Sequence, residues 1–180
     1  MKIALMDGMT VDVGDLSWDG LREFGEVVKY DTIVAHSDAV PLIGDADIAI
    51  GSKLVIDARV MDACPNLKYI GVPATGYNLI NVDDARARGI AVTNVPTYGT
   101  ESVAQHIFAL LLDLTNKVTE HFQAVLDWQW TRVPSFCFWN SPLTELAGKT
   151  FCVYGFGKIG RQACKIAQAF GMKTIAVAHH

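Results

Sequence analysis

Five short apolar runs, each separated from the next by a stretch with helical spacing or turn residues, constrain this chain more than any other feature. Ile3 to Met6, Glu26 to Tyr30, Asp47 to Ile50, Leu67 to Gly71 and Ile90 to Thr93 have the length and apolar content of buried strands. Between them, Trp18, Leu21 and Phe24, then Leu54, Val55, Ala58 and Met61, then Val82, Ala85 and Ala87 repeat apolar side chains at helical intervals. Strands joined through helices return in the same direction, so the alternation predicts a parallel sheet covered on both faces. The expected class is α/β, with a flavodoxin-like parallel-sheet domain over residues 1–98. At 51% hydrophobic and 19% charged residues over 180 positions, there is enough apolar side chain for a substantial core.

Asn94-Val95-Pro96-Thr97-Tyr98-Gly99 then punctuates the chain, and a long helix is predicted to open with Thr100 or Ser102 as its cap, Ser102 and Gln105 fitting a capping box. Its expected apolar stripe is Val103, Ile107, Leu110, Leu111, Leu114, Val118, Phe122 and Val125. From Trp128 to Pro142 runs a loop that includes Trp130, Phe136, Phe138 and Trp139. Without basic residues among them, these rings are read as a packing or oligomer contact and not as a platform for stacked bases.

The segment Val153-Tyr154-Gly155-Phe156-Gly157-Lys158-Ile159-Gly160 contains a Gly-x-Gly-x-x-Gly motif. Alone it is weak, because glycine-rich turns match it by chance, and a structural glycine turn is the other reading. Its flanks decide for a nucleotide site. Thr150 to Tyr154 upstream is β-branched and aromatic; Ile159, Ala163, Ile166, Ala167 and Phe170 fall on one helical face before the stop at Gly171; Thr174 to Val177 supplies a second strand. Such a βαβ unit binds a pyrophosphate on main-chain N–H groups at the helix N-terminus, where glycines permit close approach. Gly155 would make the turn, Gly157 admit the phosphate and Gly160 let helix and strand pack. The acidic residue that reads a ribose about 20 positions further on is not found: Ala178 is followed by His179 and His180. NAD and NADP are therefore both expected cofactors, and the His pair also reads as the remnant of a purification tag.

A net charge of −4 and the lack of any basic run exclude nucleic acid as the main partner. No apolar stretch has the length of a membrane span, and Asp7 and Gly8 follow the opening apolar residues too soon for a signal peptide, so a cytoplasmic protein is expected. Cys64, Cys137, Cys152 and Cys164 are widely spaced and read as reduced and structural; no metal site is expected.

Several segments together resemble the D-isomer specific 2-hydroxyacid dehydrogenases, in the branch of glycerate dehydrogenases and hydroxypyruvate reductases. They are Leu67 to Asn78, Arg88 to Pro96, Thr100 to His106 and Leu146 to Thr150, in family order and spread over nearly the whole chain. The resemblance implies a flavodoxin-like substrate domain over 1–98, followed by the first half of a Rossmann nucleotide-binding domain over 99–180 that stops after its second strand. It implies hydride transfer between NAD(P)(H) and a small D-2-hydroxy or 2-keto acid such as glycerate, hydroxypyruvate or glyoxylate. By that resemblance the backbone of Ala74, Thr75 and Gly76 holds the substrate carboxylate and Ser52 and Lys53 face the same cleft, an ordinary βα turn and a surface lysine being the plainer readings. Val103 would lie against the cofactor, its place on the apolar stripe being the alternative, and Gly155, Phe156, Gly157, Lys158, Ile159 and Gly160 would surround the pyrophosphate.

The family's catalytic Arg, Glu and His belong to the part of the nucleotide domain after that second strand, so no catalytic residue is assigned here and the 180-residue chain alone is expected to be inactive. His106 and His121, about 22 Å apart on one continuous helix at 1.5 Å per residue, are read as surface or interface residues. A homodimer through the helix of residues 100–126 and the aromatic loop is expected. The alternative class is a non-catalytic nucleotide-binding or dimerisation module derived from the same family.

Overall fold

The computed structural model describes residues 1–31 and 38–178, so the closing His179-His180 pair lies outside the described residues. The chain forms two compact units, Met1–Tyr98 and Gly99–His180.

The first unit is a five-stranded parallel sheet built from β1 (Lys2–Leu5), β2 (Glu26–Lys29), β3 (Ile48–Ile50), β4 (Tyr69–Val72) and β5 (Ala91–Asn94), in the order β2-β1-β3-β4-β5. The short helices α1 (Asp19–Arg22), α2 (Val40–Ile43), α3 (Ala58–Ala63) and α4 (Val82–Ala87) accompany them. This is the flavodoxin-like order. The chain steps outward from β1 to β2 and then returns past β1 to β3, so the direction of winding reverses between β1 and β3. Ala4, Ala49, Ile70 and Val92 are in register and share one sheet face. They form the core with Ile43 of α2, Val60 and Met61 of α3 and Ala85 of α4. On the opposite face Ile3 and Leu5 are fully buried, Ile48, Ile50 and Tyr69 half-buried, and Ala91 and Thr93 exposed.

The helix expected over Leu54 to Met61 starts later. Asp57 Oδ1 accepts the Val60 N–H at 3.0 Å and sets the helix start at Ala58. Leu54 and Ile56 are buried ahead of it, Leu54 in a bend and Ile56 bridging to Ile80. A similar cap, Asn81 Oδ1 on the Asp84 N–H, starts α4. The loop after β1 is gathered around Asp12, whose carboxylate accepts from Trp18 Nε1, the N–H groups of Gly14 and Leu16, and Lys29 Nζ. These donors, the Trp18 ring first, hold its carboxyl well below the ordinary 3.8, at about 2.

The second unit comprises α5 (Thr100–Asn116), α6 (Val118–Leu126), α7 (Gln129–Arg132), β6 (Thr150–Tyr154), α8 (Lys158–Ala169) and β7 (Lys173–Val177). β6 and β7 are parallel neighbours joined through α8. Phe108 of α5 packs on Ala163 and Ala167 of α8, and its ring lies 5.4 Å from that of Phe151 and 5.5 Å from that of Phe170.

Three expectations for residues 100–126 are corrected. The helix is capped by neither Thr100 nor Ser102: its N-cap is Gly99, one residue before Thr100, with the Gly99 carbonyl accepting the Val103 N–H at 3.0 Å and no side-chain hydrogen bond from the cap residue. It is not continuous, because Lys117 adopts φ 54, ψ 40 and separates α5 from α6. The break is supported by Asp113 Oδ1, which accepts both the N–H and the Oγ–H of Thr119 at 2.8 Å. The buried face carries Ala104, Ile107, Phe108 and Leu111, whereas Val103, Leu110, Leu114, Val118, Phe122 and Val125 of the expected stripe are exposed. With the helix broken, the spacing of His106 and His121 along one axis no longer applies. Both ring nitrogens of His121 are engaged, Nδ1 with the Lys117 carbonyl at 2.8 Å and Nε2 with the Asn140 N–H at 3.4 Å.

Candidate functional site

The residues singled out from the sequence fall into two places, one in each unit. In the second unit, Gly155 follows β6 with φ +103, a conformation that glycine adopts without strain, and its N–H donates to the Val177 carbonyl at 2.7 Å. Gly160 is demanded by packing, since a Cβ there would stand 2.2 Å from the Gly155 carbonyl oxygen. Gly157 answers to neither cause. Its φ is −76 and a Cβ would meet no atom of the described residues within 4 Å, so among the described residues the space above the turn is open. Gly157 is the N-cap of α8 and offers no side chain to cap it, and no acidic residue lies in the first turn. The amides of Lys158, Ile159 and Gly160 therefore lie where an α-helix has donors without intrahelical acceptors and a partial positive charge. The Arg161 guanidinium, 5.5 Å from the centre of the Phe156 ring, adds a cation beside the turn. An open glycine turn, a bare helix N-terminus and neighbouring cations fit a pyrophosphate. Val103 lies in the first turn of α5, the helix packed on α8, with its side chain exposed.

In the first unit, Ser52 and Lys53 follow β3, and Ala74, Thr75 and Gly76 follow β4. Because β3 and β4 are adjacent and parallel, both loops emerge at the same end of the sheet, beside the reversal of winding, where doubly wound folds open to ligands. The Ala74 carbonyl accepts the Val95 N–H at 3.1 Å and the Thr75 carbonyl accepts Asn94 Nδ2 at 3.0 Å. These bonds engage the carbonyl side of the turn, while Thr75, Gly76 and Lys53 are exposed.

Two residues that sequence reasoning passed over belong to this region. Asn94 steadies the turn after β4 as just described. Asp7, two residues past the end of β1, is only 1% exposed; its Oδ2 accepts the Ser52 N–H at 2.7 Å and the Ser52 hydroxyl at 3.4 Å, while its Oδ1 has no hydrogen-bond partner among the described residues. An aspartate straight after an apolar run was the available signal, but its partner lies 45 positions away. Asp7 also has φ 52 and ψ 35, a left-handed conformation that Asp and Asn adopt more readily than other L-residues.

Residues 9–177 match the profile of the D-isomer specific 2-hydroxyacid dehydrogenase catalytic domain. The hydroxypyruvate reductase of Blautia hydrogenotrophica is 44% identical over 178 residues, which are 98% of this chain and 55% of that protein. The glycerate dehydrogenase of Methylorubrum extorquens is 29% identical over 178 residues, covering 97% of this chain and 55% of that protein. Among solved structures, an acyclic imino acid reductase in complex with NADPH and D-Arg superposes with a TM-score of 0.75 at 27% identity, covering 99% of this chain and 56% of that one. The chain thus spans about half the length of the relatives it matches. With nearly every residue inside the matched profile, the chain belongs to the D-isomer specific 2-hydroxyacid dehydrogenase family.

Proposed function

We propose that this chain is the substrate-domain and first nucleotide-binding portion of an oxidoreductase that exchanges a hydride between NAD or NADP and a small D-2-hydroxy or 2-keto acid, of the glycerate, hydroxypyruvate or glyoxylate kind. The observation that carries the reading is Gly157, where the fold leaves open space above an uncapped helix N-terminus. The 44% identity to a hydroxypyruvate reductase supports the substrate class. On this reading residues 1–98 are the substrate domain and residues 99–180 part of the nucleotide domain. The amides of Lys158, Ile159 and Gly160, with Gly155, Phe156 and Gly157 shaping the turn, hold the pyrophosphate, and Val103 contributes an apolar contact to the cofactor. Bound there, a nicotinamide supplies the hydride acceptor or donor. Ala74, Thr75 and Gly76 offer main-chain donors to the substrate carboxylate, with Ser52 and Lys53 on the neighbouring loop. We assign no acid/base group within these 180 residues, and the chain alone is proposed to bind without turning over.

Exposed apolar side chains along α5, α6 and the following loop, with Phe136 90% and Trp139 70% exposed, support a homodimer through residues 100–126 and the aromatic loop. They also favour the second reading, a non-catalytic nucleotide-binding or dimerisation module. Among the described residues no helix is long and apolar enough to cross a membrane, and all four cysteines are free; a cytoplasmic setting is proposed.

The test is a fluorescence titration of the purified chain with NADH and NADPH, paired with an NAD(P)H oxidation assay using glyoxylate and hydroxypyruvate. Saturable binding without turnover is expected. No binding of either nucleotide at millimolar concentration would remove the cofactor site, and turnover would refute the missing acid/base group.

A further inference from the structure

We infer that Asp7 is a positioning residue for the proposed substrate loop: through Oδ2 it fixes Ser52, and with it Lys53, in the conformation presented to a 2-hydroxy or 2-keto acid. The inference rests on the substrate reading above and extends it to a residue in the loop after β1.

Three observations carry it, each at a different level. The backbone of Asp7 is left-handed, at φ 52 and ψ 35, a conformation open chiefly to Gly, Asn and Asp, so few residue types fit this position. Its carboxylate is buried, yet among the described residues Oδ1 is left without a partner, and a purely structural contact to Ser52 could be made by a neutral side chain without that desolvation. A buried polar atom without a partner calls for an explanation, and a role at a functional site is one that fits its place in the fold. The third observation is place. The Met6 N–H donates to the Ile50 carbonyl at 2.7 Å and extends the β1–β3 ladder up to Asp7, at the reversal of winding. Gly51 keeps the two strand ends close, for a Cβ there would stand 3.1 Å from Met6 Cβ and 3.6 Å from Asp7 Oδ2.

The hydrogen bonds also reassign the loop's parts. The amide and hydroxyl hydrogens of Ser52 are both directed to Asp7, so Ser52 has its oxygen left as an acceptor for a ligand hydroxyl, while Lys53 provides the cation. A carboxylate this close to an anion site opposes anion binding by its charge, so its hold on Ser52 and its charge act in opposite directions. Substitution can separate them.

The experiment records ¹H–¹⁵N spectra of the full chain titrated with D-glycerate, for the unsubstituted protein, Asp7→Asn and Asp7→Gly. Asparagine keeps an acceptor for the Ser52 N–H and tolerates the left-handed backbone; glycine relaxes the backbone but removes the acceptor. The unsubstituted chain should show shifts at Lys53, Thr75 and Gly76. Asp7→Asn should bind at least as tightly, and Asp7→Gly about ten-fold more weakly, with faster solvent exchange of the Ser52 amide in the ligand-free chain. Equal binding by a folded Asp7→Gly, or tighter binding by both variants, would overturn the inference, the second outcome leaving charge alone as the effect. An unfolded Asp7→Gly would also overturn it by making Asp7 a folding residue. If the unsubstituted chain shows no shifts, the substrate reading fails first and the inference falls with it, whereas failure of the inference alone leaves those shifts intact.

Discussion

Gly157 and Gly160 stand three residues apart in one turn, and different physics selects each. A side chain at 160 would collide with the Gly155 carbonyl, while one at 157 would enter open space. Gly160→Ala is therefore expected to destabilise the second unit by about 1–3 kcal/mol, seen as a fall in its calorimetric midpoint. Gly157→Ala is expected to change the stability of that unit by no more than about 1 kcal/mol while weakening NADH or NADPH about ten-fold in a fluorescence titration. If both variants lost binding only in proportion to stability, the open space at 157 would have no bearing on nucleotide. These glycines were legible in the sequence because their reasons are local: a positive φ, a close approach, a helix start. Asp7 was not, because nothing within several residues of it announces Ser52, and only the sheet's order brings the two together.

At the level of elements, the parallel strands were legible because a buried strand of a doubly wound sheet is a short apolar run, and alternation with helices leaves it few ways to pair. The ends of helices were less so. The apolar period runs on from Leu54 into α3, but the cap at Asp57 overrides it. Likewise nothing in the period between Val103 and Val125 marks Lys117, which is neither glycine nor proline. The break depends on Asp113 reaching forward to Thr119. Asp113→Ala should therefore loosen the start of α6, with about ten-fold faster amide exchange near Thr119 and little change in α8. The Thr119 amide and hydroxyl hold the Asp113 carboxyl below its ordinary 3.8. Its contribution is therefore complete above that value and fades as pH falls below it, so acid should mimic the substitution in the unsubstituted chain. Unchanged exchange in the variant would leave the break without its proposed support.

For the molecule as a whole, the exposed rings and aliphatic side chains of residues 103–139 call for a cover, and a second copy is the proposed one. Sedimentation velocity at tens of micromolar should show a dimer, and Leu114→Glu with Phe122→Glu should shift it to monomer without loss of helicity. A monomer before substitution would end that proposal. The order of the first sheet has a further consequence, for synthesis. β1 emerges from the ribosome first but lies between β2 and β3, so its ladder stays incomplete until Ile50 has cleared the exit tunnel. At roughly 5–20 residues per second an apolar segment is left ungrafted for several seconds, long enough for chaperones to compete for it, and slow codons translated after β1 has left the tunnel and before Ile50 has would lengthen that exposure.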